Sequence, residues 1–389
     1  MFRRIFDRHK LQVAIIACGD TGQEMGAEMI RSLKKFGANV KALSITSSLE
    51  MHNKKDVFNQ IVSIDDNHDG FAKKLDDGIQ ATRKNIPQID EALRKIVPDN
   101  KEDLMLIVTG AGGTGLGSTL VLVDHLYEKY RKVPPIITLL PETFENSRVQ
   151  YNISTFLYDL VFKPENRGNS VLLLDNKPHF KEMSQPFSDV SRKRIDSTPS
   201  AFADLLFGSF EESVSEEFDA KVSDLFEVIH TPGLSVFISE ELAGTQNDDI
   251  DSSRISDVIA ESVMSTTSLS RDQVFDAKNA FITLFNIDEG EERLSFQTEF
   301  EARKLSRLFK ETHPFIKIVS SDDKNFGKSP KLRGILTGLA LPNRVLQVMR
   351  IARRSRKQIM IKEHNLMNDA IPLDIDKISR LEDKLRGIE

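Results

Sequence analysis

The chain has 389 residues, 39% of them hydrophobic and 29% charged, with a formal net charge of −6. That is enough apolar material for a sizeable core divided between two domains, but no stretch approaches the ~20 apolar residues of a membrane span. The acidic balance argues against a specific nucleic-acid partner, because such binding rests on Lys and Arg neutralising phosphates, and the single cysteine, Cys18, excludes an internal disulfide framework and a cysteine-based metal site.

The start, MFRRIFDRHK, is basic, and the apolar run after it is too short for a secretory signal, so a cytoplasmic protein is expected. QVAIIA reads as a buried strand running into CGDTGQEMGAEMIRSLKKFG, a helix with Met25, Met29, Leu33 and Phe36 on one face and Gly37 as its stop. NVKALSI is a second strand, IDEALRKIV a helix and DLMLIV a third strand, followed by GAGGTGLGS and the helix STLVLVDHLYEKY. PPIITLL and SVLLLD close the series. Short apolar runs alternating with longer amphipathic ones predict an α/β fold, a Rossmann-like parallel sheet covered by helices.

A long central helix is predicted from Ala201 to Phe218, with Phe202, Leu205, Leu206, Phe210, Val214 and Phe218 as its apolar stripe. LSVFISEELAG, AFITLFNID and FIKIVSSDD, separated by helical stretches, predict a smaller α/β domain of mixed pairing. From Pro342 the sequence is highly charged and reads as a partly helical tail with weak anchoring. Its MRIARRSRKQ segment is the one concentration of positive charge, read as a solvated helix face. The expected divisions are 1–10, an extension; 11–200, the sheet domain; 201–224, the central helix and the loop after it; 225–341, the second domain; and 342–389, the tail.

Two strand–glycine–helix turns stand out, CGDTGQEMG and GAGGTGLGS. Each aims backbone N–H groups and the positive end of a helix dipole at the carboxyl edge of the sheet, an anion site. VTGAGGTGLGS carries five glycines in eleven positions, a bare main chain expected to face a phosphate. It lacks the lysine of a P-loop. A dinucleotide fingerprint forced onto Gly110, Gly112 and Gly115 falls on a later strand with no ribose-binding acid after it, which disfavours a nicotinamide-dependent dehydrogenase.

GGTGLGS resembles the phosphate loop of the tubulin/FtsZ superfamily, G-G-G-T-G-[ST]-G, with Ala111 at the first glycine and Leu116 at the small hydroxyl residue. The order of weaker matches agrees. GDTGQEMG is similar to the family's first phosphate loop, and PETFENSR to P-x-x-F-E-G-x-x-R, with Arg148 one residue early. LLLDNK is similar to the strand end carrying a base-side asparagine, and FADLLFGSF to the central helix N-D-V-L-x-G-A-V. The resemblance implies GTP or GDP held by Gly19, Asp20, Thr21, Gly22 and Gln23, by Gly112, Gly113, Thr114, Gly115, Leu116 and Gly117, and by Glu145, Arg148, Asn176 and Asp204. Asp204 would accept the paired donors of guanine, and Asp20 would help hold Mg²⁺.

In the family a loop with the pattern N-x-D-x-x-[DE] enters the next subunit's pocket and orients the attacking water. DAKVSDLFEVIHTPGLSVF stands there, with Asp224 at the last acidic position, Lys221 in place of the middle aspartate and Asp219 in place of the asparagine. Lys221 either neutralises charge on the γ-phosphate or pairs with Asp224 and removes the base. The resemblance, closer to FtsZ and CetZ proteins than to tubulin, implies a head-to-tail homopolymer with slow GTP hydrolysis between subunits, serving division, shape or DNA segregation. It also implies a tail-binding protein or membrane tether, although the family's short C-terminal peptide is not recognisable in NDAIPLDIDKISRLEDKLRGIE. A scaffold of the same fold that binds nucleotide without turning it over is the alternative.

Overall fold

The computed structural model describes residues 11–48, 56–65, 70–71, 73–98, 103–162, 168–175, 187–241, 255–267, 270–287, 292–320 and 331–363. Its centre is β1 (Gln12–Cys18), paired in parallel with β2 (Asn39–Thr46) on one side and β4 (Leu104–Thr109) on the other. A strand covered on both faces needs an unbroken apolar sequence. Accordingly Val13, Ile15 and Ala17 join one core, and Ala14, Ile16 and Cys18 another. α1 (Gly19–Lys35) closes the first of these with Met25, Met29, Ile30 and Leu33.

The first half continues through β3 (Gln60–Ser63), α2 (Leu75–Lys84), α3 (Ile86–Ile96), α4 (Gly113–His125), β5 (Ile136–Leu140), α5 (Ser147–Leu157), β6 (Ser170–Asp175) and α6 (Phe187–Gly208). A π-helical turn, Leu126–Tyr130, extends α4. It is anchored by Asp90 of α3, whose carboxylate accepts hydrogen bonds from His125 Nε2 at 2.9 Å and Tyr130 Oη at 3.0 Å and pairs with Lys129. The second half contains α7 (Val222–His230), β7 (Gly233–Glu241), α8 (Ile255–Thr267), the single turn α9 (Arg271–Val274), β8 (Asn279–Ile287), α10 (Glu292–Leu308), β9 (Phe315–Ser320), β10 (Lys331–Thr337) and α11 (Asn343–Glu363).

Among the described residues the ten strands form one sheet in the order β3-β2-β1-β4-β5-β6-β7-β10-β8-β9. β7 joins β6 in parallel from Ser170↔Gly233, so the sheet runs unbroken from the first half into the second. β10 alone is antiparallel, lying between β7 and β8. β8 and β9 therefore point the same way as β7, and the sheet has one carboxyl edge and one amino edge. The α/β class expected from the alternation of apolar runs is the class observed.

Three local expectations are corrected. β3 and α2 were not predicted, being short and largely polar. Instead of from Ala201 to Phe218, the central helix runs from Phe187 to Gly208. Serines past that point spend their hydroxyls locally, Ser209 Oγ donating to Leu206 O at 2.6 Å and Ser213 Oγ to Phe218 O at 2.7 Å. Val214 N–H and Ala220 N–H then donate to Ile318 O and Ile316 O of β9, so Val214 and Phe218 reach a third core, built on β7 to β10, from an irregular segment.

The third concerns the first part of the weakly anchored tail, residues 343–363, since 364–389 lie outside the described residues. α11 packs on α5, with Val345, Val348, Met349 and Ala352 exposed by only 1%, 0%, 5% and 2%. Their spacing of three, four and seven residues is an apolar helical stripe that the flanking charges obscure in the sequence. Val348→Asp buries an unpaired charge and is expected to cost about 3 kcal/mol or more, against about 0.5 kcal/mol or less for the exposed Arg353→Asp. Urea melts of the two variants check this, and equal midpoints would mean that α11 is not part of the fold.

Candidate functional site

β1 and β4 end side by side, with Cys18 opposite Thr109, and each chain turns there into a helix. The N-caps, Cys18 for α1 and Gly112 for α4, place no side chain on the first-turn N–H groups. Two sets of backbone donors and two positive dipole ends thus share the carboxyl edge, the arrangement that binds an anion. The turns touch. A Cβ on Gly19, whose φ of 69° is left-handed, would lie 2.9 Å from Gly115 N, and one on Gly115 would lie 2.9 Å from Cys18 O.

The glycine-rich run is only partly explained by a ligand. α4 begins at Gly113, so Gly113, Gly115 and Gly117 are helical residues instead of turn residues. A Cβ on Gly113 would sit 2.3 Å from Lys74 O, and one on Gly117 would sit 2.8 Å from the carbonyl carbon of Gly78. Those two glycines are small because α2 lies directly against α4. Gly112 differs, since a Cβ there meets nothing within 4 Å and the residue borders open space. Beside it Ala111, Thr114 and Thr21 are half-buried and Asp20 is exposed.

The other residues assigned to the phosphate loops point inward. Leu116 is in the core, Gly22 lies against Val108 O, and Gln23 is fully buried with its amide on Ser44 Oγ. Two neighbours escaped the sequence reading. Ser47 at the end of β2 shares a hydrogen bond of 2.7 Å with Thr114 Oγ1. Lys73 is exposed, adopts a left-handed φ of 64°, and packs its backbone on Gly113. Among the described residues Arg131 shares that conformation, at the end of the π-helical turn.

The loop Pro141–Asn146 leaves β5 at the same edge. Glu145 Oε1 accepts the Glu142 N–H at 2.7 Å, Asn146 caps α5 by accepting the Arg148 N–H, and Phe144 is 66% exposed. Asn176 lies outside the described residues. Asp204 is not brought to this group. Its carboxylate is buried against β10, 2.7 Å from Lys331 Nζ and 3.6 Å from Arg333 Nε. Phe207, one turn on, stacks on Phe36 at the far end of α1, with ring centroids 4.7 Å apart, which puts Asp204 about 20 Å along the helices from Gly19.

The segment Asp219–Asp224 lies at the opposite edge of the sheet, beside the start of β9. Asp219 is held between Lys221 and Lys317, and Lys317 Nζ also donates to Ala220 O at 3.1 Å. Asp224 stands in the first turn of α7, its Oδ2 accepting the Lys221 N–H at 2.7 Å. Lys221 therefore gives its ammonium to Asp219, and Asp224 receives only its backbone.

No family model matches the chain, and no curated protein matches it in sequence. Solved structures do match. CetZ2 from Haloferax volcanii, in a GTPγS-bound protofilament, is 19% identical over 90% of this chain and 99% of its own, with a TM-score of 0.69. TubZ from Bacillus thuringiensis serovar israelensis, also a GTPγS-form protofilament, is 17% identical over 90% and 94% with a TM-score of 0.68. FtsZ from M. jannaschii is 14% identical over 85% and 92% with a TM-score of 0.62. The chain has the tubulin/FtsZ fold. At these identities the likeness extends to the architecture alone.

Burial pushes the Lys317 ammonium down to about 8, with repulsion from Lys221 adding to the shift against the pull of Glu211, Asp224 and Glu212. The folded protein releases this proton near pH 8, whereas the unfolded chain keeps it to about 10.4. Between those values the unfolded state binds more protons, so this group makes stability rise with pH. Lys317→Met is expected to remove that contribution, leaving a smaller rise in Tm from pH 8 to pH 10 than in the wild type. Parallel curves would mean that the ammonium is not desolvated.

Proposed function

We propose that this protein binds GTP across the uncapped starts of α1 and α4, assembles head to tail, and hydrolyses the nucleotide where two copies meet, in the service of division, shape or DNA segregation. The carrying observation is the separation of the two half-sites. The anion-binding starts of α1 and α4 lie at the carboxyl edge, and Asp219–Asp224 lies beside the amino end of β9. In this reading the site is closed by a second copy stacked on the first, a contact that repeats without closing. Two of the matched structures are nucleotide-bound protofilaments.

In this reading the first N–H groups of α1 and α4 bind phosphate oxygens, with the hydroxyls of Thr21 and Thr114 and the Lys73 ammonium at the rim. Asp20 is the acidic residue in the first turn of these two helices. A single carboxylate beside phosphates suits Mg²⁺, which takes few protein ligands and would supply charge neutralisation. Asp224 of the neighbouring copy orients a water and accepts its proton. Guanine preference rests on the family resemblance and on solved neighbours bound to GTPγS and GDP, since Asp204 is engaged elsewhere.

Sedimentation with GTP, GDP and ATP, combined with phosphate release across protein concentration, tests the proposal. GTP-dependent pelleting and a turnover per subunit that climbs with concentration are expected; constant turnover would overturn the shared site. Gly112→Glu fits the open space at that position and should fold normally, yet lose nucleotide affinity by 100-fold or more, because a carboxylate then faces the phosphates. Asp224→Asn should pellet with GTP while releasing little phosphate. The scaffold reading is favoured by Lys221 standing where the family has a carboxylate, and it predicts GTP-dependent pelleting with no phosphate release from the wild type.

A further inference from the structure

The last helix among the described residues, α11, reaches into the loop that follows β5. Arg344, in the first turn of α11 and 1% exposed, donates through Nη2 to Pro141 O and to Glu142 Oε2 at 3.1 Å, and through Nη1 to Gln347 Oε1 at 3.4 Å. Glu142, 8% exposed, is the organising residue of that loop. Its Oε2 also accepts the Thr143 N–H at 2.6 Å, its carbonyl accepts from Gln150 Nε2, and its own N–H donates to Glu145 Oε1 at 2.7 Å.

A buried ion pair is a poor source of stability, because desolvating two charges offsets most of their attraction. The apolar stripe of α11 already holds the helix on α5. What the pair adds is direction: a guanidinium with two fixed acceptors sets where Pro141 and Glu142 sit, and through them the backbone that carries Phe144 and Glu145. We infer that Arg344 is a positioning residue for nucleotide, fixing the Pro141–Asn146 loop so that α11 controls affinity at the carboxyl edge of the sheet. This rests on the nucleotide-binding reading above.

Arg344→Gln tests it, with two readouts. Binding of GTPγS to the full-length protein at low concentration should weaken at least tenfold, while phosphate release at saturating GTP stays within twofold of wild type. Arg344→Lys, which keeps the charge, should recover part of the affinity. Hydrogen exchange of the amides from Thr143 to Ser147 should speed up in Arg344→Gln without nucleotide. Wild-type affinity in Arg344→Gln would overturn the inference. If Arg344→Gln does not fold, the double change Glu142→Leu with Arg344→Met replaces the pair by apolar groups. A folded double variant that binds weakly supports positioning, and one that binds like wild type overturns it. If the wild type itself binds no GTPγS, the nucleotide reading fails, and the exchange data still judge Arg344: unchanged protection of the loop would sink its positioning role.

Discussion

Two backbones meet at the middle of the sheet, and the site is built around that contact. β1 and β4 are neighbours, each must turn into a helix at its carboxyl end, and the turns are close enough that a Cβ on Gly19 would press on Gly115 N. Only glycine satisfies both the left-handed φ at Gly19 and this approach. Once the turns are locked together, α1 and α4 start side by side with their donors facing the same way. The proposed anion site would thus be a by-product of strand adjacency and of side-chain absence at two positions. Helix interiors tolerate glycine poorly, by about 1 kcal/mol per residue, and on α4 that cost is offset by the close fit of α2 against Gly113 and Gly117.

The opposite edge is organised by charge. Asp219 is shared by two lysines, one exposed and one buried, and the buried one, Lys317, comes from a strand nearly a hundred residues away, at a separation of 98. Pairing Lys221 with Asp219 keeps its ammonium off Asp224, so the helix cap and the acidic side chain proposed to act on water are the same group. Of the two roles open to Lys221, pairing of its ammonium with Asp224 is not the one seen within a single copy.

Legibility followed hydrophobic continuity. QVAIIA, DLMLIV and SVLLLD could be read as interior strands because both faces of each are covered, and their order implied a parallel sheet. β3 and α2 are short and polar, so nothing in QIVS or LDDGIQATRK announces them, and without α2 the glycines of α4 had no partner other than a ligand. Asp204 was matched by local sequence to a base-binding position, but the helix that carries it stops early, and burial beside Lys331 and Arg333 decides its role. The stripe Val345, Val348, Met349 and Ala352 was present to be read and was masked by the arginines around it. Contacts between distant segments, such as Arg344 with Glu142 or Lys317 with Asp219, have no local signature at all.

Cys18 closes β1 beneath the two turns, fully buried, with burial pushing its thiol up to about 12 against a hydrogen bond with Thr119. A thiol of that kind is almost entirely protonated at neutral pH and sterically shielded, so it reacts slowly with maleimides and oxidants. As the chain has no other cysteine, a fluorophore or crosslinker can be directed to any one introduced surface cysteine with the native residue left in place.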